Sequence, residues 1–138
     1  MDREVVEQKL ESLRRCLQRI EDKLPPALKT LEQDPDLQDI IAVNLTRAVQ
    51  LCVDIGAHLI AGLGVQAPNT MSRTFDTLAL SGVIDEDLAT RLRKAVGFRN
   101  IAVHQYQAID WTIVHSIARH HIDDFSEFAR AIVSRLDQ

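Results

Sequence analysis

Arg99, Asn100, His104 and Tyr106 set a fixed cation, an amide, an imidazole and a phenol inside eight residues. The stretch is Arg99-Asn100-Ile101-Ala102-Val103-His104-Gln105-Tyr106, and most of what separates those groups is apolar. Arginine offers a permanently charged fork to phosphate oxygens. Histidine gives and takes protons near neutral pH, its ordinary pKa being about 6.5. Asparagine donates to an oxygen without adding charge. Together these groups can hold a phosphate and move a proton beside it, and no other stretch of the chain matches their density.

A helix decides which of them converge. At about 100° per residue, Asn100 and His104 lie on one face, whereas Arg99 and His104 are about 140° apart. On a continuous helix Arg99 and Tyr106, seven residues apart, share a second face. Arg99 and His104 act together if the helix starts near Gly97-Phe98, if the arginine stem bends round, or if a second copy contributes. A two-fold dimer would bring two Arg and two His to one cleft, because a self-complementary interface repeats each patch.

The rest of the chain reads as helices that would position this segment. Val6, Leu10, Leu13, Leu17, Ile20 and Leu24 alternate in steps of four and three, an amphipathic stripe that Asp2 caps and Pro25-Pro26 ends. Asp34-Pro35 reads as the N-cap and first turn of a second helix running to about Gly62-Leu63-Gly64. Its main stripe is Ile41, Leu45, Ala48, Cys52, Ile55 and Leu59, and flanking Ile40, Val43, Val49 and Ile60 make it the candidate central helix. Gly56 inside it marks a candidate close contact between helices. Asn69 or Thr70 caps a short third helix ending before Gly82, and Asp85 caps a fourth carrying Leu88, Leu92 and Val96 toward Gly97. Asp110 caps a last helix with Val114, Ile117, Ala118, Ile122, Phe125, Ala129, Ile132 and Leu136 on its buried face. No alternation of period two persists, so the expectation is all-α: one domain over residues 1–138, an antiparallel bundle of four or five helices.

Composition sets outer bounds. The chain has 138 residues, 46% hydrophobic and 26% charged, enough for a core without staples. No uncharged apolar run reaches the roughly 18 residues of a membrane span, and the charged N-terminus lacks a signal-peptide core. Cys16 and Cys52 fall at apolar helical positions and read as buried thiols in a reducing cytoplasm, the expected location. A net charge of −4 argues against general nucleic-acid binding, which favours a basic face. Local positive charge remains in Arg91, Arg93, Lys94 and Arg99.

Two other polar groupings stand out. His120 and Asp124 share a face, but two ligands make no metal site, and no metal is expected. Asp54 and His58 stand four residues apart on the central helix. Asp54 there is either a structural polar contact or a carboxylate supporting the phosphate site. No phosphate loop, H-E-x-x-H or Cys-x-x-Cys is present.

The octapeptide resembles the active-site motif of the HEPN ribonucleases: Arg99, four residues, His104, one residue, Tyr106, with Asn100 directly after the arginine. The closest subgroup is the HepT-like toxins of prokaryotic toxin–antitoxin pairs, and Leu51–Ile60 is similar to that family's second helix. The resemblance implies a HEPN-like helical domain and a metal-independent endoribonuclease, the toxin of a type VII-like pair, needing no cofactor. Arg99, Asn100 and His104 would form a composite site at a homodimer cleft, leaving 2′,3′-cyclic phosphate ends on RNA. It also implies an antitoxin partner of the minimal nucleotidyltransferase (MNT) type, which neutralises the toxin by AMPylation of Tyr106. The alternative is a non-catalytic helical subunit that presents a docking face to such a nucleotidyltransferase.

Overall fold

The first helix begins where Asp2 accepts from the backbone N–H groups of Glu4 and Val5, satisfying donors that a helix start leaves free. In the computed structural model, which describes residues 2–138, seven α-helices follow in order: α1 Arg3–Lys23, α2 Leu28–Gln33, α3 Pro35–Ala61, α4 Met71–Leu80, α5 Glu86–His104, α6 Trp111–His120 and α7 Ile122–Leu136. A single 3₁₀ turn, Tyr106–Ala108, separates α5 from α6. The chain is all-α, as its periodicity predicts.

Side-chain caps mark the helix starts at the expected residues. Asp34 caps α3 with Pro35 in its first turn, Thr70 caps α4, Asp85 caps α5 and Asp110 caps α6. Helix α4 closes in a Schellman turn: Gly82 takes φ +76°, and the Val83 N–H reaches the Leu78 carbonyl at 2.9 Å.

Helix α3 is the hub. Its predicted stripe is buried throughout, and it packs against every other α-helix. Lys9 pairs with Asp54 while Cys16 lies near Arg47 and Cys52, so α1 and α3 run antiparallel. By length and composition α3 could cross a membrane, unlike the other described helices, yet here it is the core of a bundle. One hydrophobic core extends from Val6 to Leu136, with Phe75 and Phe128 meeting edge to face, centroids 6.0 Å apart. Both cysteines are free and buried, and burial pushes the Cys52 thiol far above its ordinary range.

Two elements depart from expectation. Helix α2 lies in the segment after Pro25-Pro26 that reads as irregular; six residues are too few to show a helical period, and only Leu31 anchors it. The last helix is two helices, broken at His121, which leaves helical backbone at φ −123° and ψ 7°. No Gly or Pro marks the break. Just past it, Arg91 of α5 pairs with Asp124 at 2.8 Å in the first turn of α7.

Gly56 and Gly97 make a controlled pair. A Cβ on Gly56 would sit 2.7 Å from Thr74 Cγ2 and 3.0 Å from Leu78 Cδ1, where α3 touches α4. A Cβ on Gly97, inside α5, would meet nothing within 4 Å. Alanine at either site gains helix propensity of about 1 kcal/mol, but at Gly56 overpacking of about 1–3 kcal/mol opposes it. Gly56→Ala should therefore lower the melting temperature by a few degrees and Gly97→Ala raise it, roughly 2–6 °C per kcal/mol. A calorimetric scan checks the opposite signs.

Candidate active site

Helix α5 carries the reactive residues because it runs unbroken through Gly97 to His104. That removes a helix start near Gly97-Phe98 as the way to bring Arg99 and His104 together. On one continuous helix they diverge by about 140°. The second route is partly taken, however. The Arg99 guanidinium leans toward the next residue, its Nη1 donating to Asn100 Oδ1 at 3.1 Å. Asn100 and His104 share a face, so this bond draws the cation toward the histidine side. Asn100 here holds Arg99, where the sequence left open a grip on the phosphate or on His104.

Arg99 differs from its basic neighbours in what it touches. Arg91 is tied to Asp124 at 2.8 Å and to Glu127 at 3.1 Å. Arg93 is tied to Asp76 and, at 3.7 Å, to Glu86. The cationic cluster expected from the sequence is thus half spent on joining α5 to α7 and α4. Arg99 has no carboxylate within ion-pair distance among the described residues, and its Nε is shielded from solvent without a partner. With no carboxylate to hold them, the terminal guanidinium donors not bonded to Asn100 stay available for an incoming anion. His104 is exposed in the last turn of α5.

Tyr106 is not on the helix at all. Gln105 leaves helical backbone at φ −144°, and Tyr106 opens the 3₁₀ turn. The shared face with Arg99 expected of a continuous helix is therefore absent. Instead the phenol crosses to α3 and donates to Asp39 Oδ1. Its ring meets Trp111 edge-on, centroids 6.1 Å apart at 66°. Desolvation first, then the Asp39 carboxylate, raise the phenol's pKa well beyond its ordinary range. Asp39 and Trp111 escaped the sequence reading: nothing local ties a tyrosine to an aspartate 67 residues earlier.

Asp54 sits elsewhere. It accepts from Gln50 Nε2 at 2.9 Å and pairs with Lys9 Nζ at 3.7 Å, joining α1 to α3, and among the described residues it makes no hydrogen bond or ion pair with residues 99–106. His120 and Asp124 lie on opposite sides of the helix break; His121 Nδ1 is instead 3.7 Å from Asp124. Among the described residues no group of three or more His, Cys, Asp or Glu is placed to hold a metal ion.

Beside the motif, a groove of about 810 Å³ runs between α5, α6 and the start of α7, lined by Phe98, Ile101, Ile109, Ile113 and Ile117. Ile101, Val103 and Ile113 are each about half exposed.

A family model for HepT-like ribonucleases matches residues 13–132. The mRNA nuclease HepT of Shewanella oneidensis is 33% identical over 129 residues, 94% of this chain and 96% of that protein. The solved structure of the tri-AMPylated Shewanella oneidensis HEPN toxin with its MNT antitoxin is similar at a TM-score of 0.90 and 33% identity, covering 97% of this chain and 99% of that one. A crystal structure of a toxin–antitoxin with AMP-PNP also reaches 0.90, at 32% identity, covering 95% and 98%.

Proposed function

We propose that this chain, which belongs to the HepT-like ribonuclease family, is the endoribonuclease toxin of a toxin–antitoxin pair, acting in the cytoplasm on RNA without a metal ion. The observation that carries the reading is Arg99: a guanidinium with no carboxylate partner among the described residues, held by Asn100 on the helix that ends in the exposed His104.

RNA brings its own nucleophile, the 2′-hydroxyl beside the scissile phosphate. A base takes the proton of that hydroxyl as the 2′-oxygen bonds to phosphorus. The bond from phosphorus to the 5′-oxygen breaks, an acid protonates the leaving oxygen, and a 2′,3′-cyclic phosphate remains. His104 supplies the proton transfer, and the two copies in a homodimer give one histidine for each role. Arg99 neutralises the charge that builds on the equatorial oxygens, and Asn100 orients Arg99. The divergence of Arg99 and His104 on one helix favours a cleft composed of two protomers. The exposed Ile101, Val103 and Ile113 offer apolar surface for a second copy to cover.

Tyr106 has no task in that sequence of steps. We assign it to regulation: an MNT-type nucleotidyltransferase antitoxin attaches AMP to its hydroxyl, two residues from His104. The added phosphate charge and bulk would repel and block RNA. ATP and Mg²⁺ belong to that partner's chemistry.

The test is incubation of the purified, unmodified chain with total RNA in EDTA across pH 5–9. Cleavage unaffected by EDTA, a bell-shaped pH–rate profile and cyclic phosphate ends are the expected results. Intact RNA in the presence of folded protein of unmodified mass would overturn the nuclease reading. It would favour a helical subunit that only docks a nucleotidyltransferase.

A further inference from the structure

We propose that Asp39 is the general base for modification of Tyr106, taking the phenolic proton as the tyrosine oxygen attacks the α-phosphate of ATP. The proposal rests on the reading of Tyr106 as the modified residue and adds a group that no local sequence feature marks. Three observations converge. The Tyr106 hydroxyl already donates to Asp39 Oδ1, so the proton's path exists before any partner binds. The ring is braced by Trp111, so the hydroxyl points one way. Asp39 stands on α3, the helix packed against every other α-helix, so the backbone that carries the acceptor is held in place. Both members of the pair remain open to solvent, Tyr106 by 39%, so a nucleotide held by a partner can reach the oxygen.

The chemistry needs such a base. A phenol beside a carboxylate does not ionise spontaneously near neutral pH, because the phenolate would face a second negative charge. The proton must leave as the new bond forms. In the step, the Tyr106 oxygen bonds to the α-phosphorus of ATP and the bond from that phosphorus to the bridging oxygen breaks. Pyrophosphate departs with the electron pair, and the proton passes to Asp39. The transfer is uphill in the resting pair. It becomes downhill as the phenolic oxygen turns into an aryl ester and loses its basicity. Among the described residues, Asp39 is the charged group that acts on the phenol, and His104 lies two residues back on α5.

The experiment follows intact mass over time for the chain mixed with its nucleotidyltransferase antitoxin, ATP and Mg²⁺. Wild type, Asp39→Asn and Asp39→Glu are compared at pH 7 to 9.5. Wild type should gain AMP on Tyr106, as peptide mapping would show. Asp39→Asn should be slower by about 100-fold at pH 7, while its complex with the antitoxin and its RNA cleavage stay at wild-type levels. The gap should narrow about tenfold per pH unit, since the variant depends on phenolate that hydroxide generates. Taking the ratio of the two rates cancels the antitoxin's own titrations. Asp39→Glu, which restores a carboxylate, should recover part of the rate. An Asn variant within threefold of wild type, a ratio constant with pH, or a Glu variant as slow as Asn would overturn the role of Asp39 and leave modification of Tyr106 standing. No added mass on wild type would remove the modification reading and this proposal with it.

Discussion

Replacing His104 with alanine should reduce RNA cleavage by about 1,000-fold, within the 10²–10⁴ range that one positioned acid–base group contributes. The residue is exposed at the end of α5, and its removal opens no cavity. Melting temperature and antitoxin binding should therefore hold while cleavage and growth inhibition vanish. If two protomers share one cleft, mixing wild type with excess His104→Ala should depress activity further than dilution predicts. Equal cleavage by the folded variant would take the histidine out of the chemistry.

Arg99 is the second large effect. Arg99→Ala should cut cleavage by about 10²–10³-fold, the usual loss when one preorganised donor to a developing oxyanion is removed. Arg99→Lys tests the fork apart from the charge. Lysine keeps the cation and most of the stem, but as a compact point charge it cannot hold two oxygens at once or keep the bond to Asn100 in the same geometry. A loss of about tenfold or more for Lys, with stability retained, would show that planar two-point contact matters and not charge alone. The stem is half-buried and its Nε shielded, so the alanine variant also loses packing. The lysine variant separates that contribution. Full activity in Arg99→Lys would reduce the residue to a generic positive charge.

These expectations depend on features with different visibility in the chain. Five helix starts were legible because caps are local: Asp2, Asp34, Thr70, Asp85 and Asp110 each bond backbone N–H groups within three residues. The central place of α3 was legible too, since apolar residues nearly all round a helix leave it nowhere to go but the core. The reactive octapeptide stood out for the same local reason, its groups being neighbours in the chain.

Other features had no local signature. Arg91 and Arg93 look like free cations beside the site in sequence, yet the folded chain spends both on carboxylates of α7 and α4. The break at His121 interrupts a stripe whose spacing fits one continuous helix, because Phe125 and Phe128 follow Val114 and Ala118 in phase. Tyr106 was expected to share a helix face with Arg99, and a turn one residue earlier sends it to α3 instead.

The sequence by itself determined the longer helices, the caps at Asp2, Asp34, Thr70, Asp85 and Asp110, the core helix and the set of reactive groups, because each depends on contacts within about two turns of chain. Tertiary structure alone decided which charges remain available and which group accepts the hydrogen bond of the Tyr106 hydroxyl. Those outcomes hang on pairings across helices, such as Tyr106 with Asp39, Arg91 with Asp124 and Arg93 with Asp76, whose partners lie 67, 33 and 17 residues apart. Such pairs exist only once packing around α3 has brought the helices together.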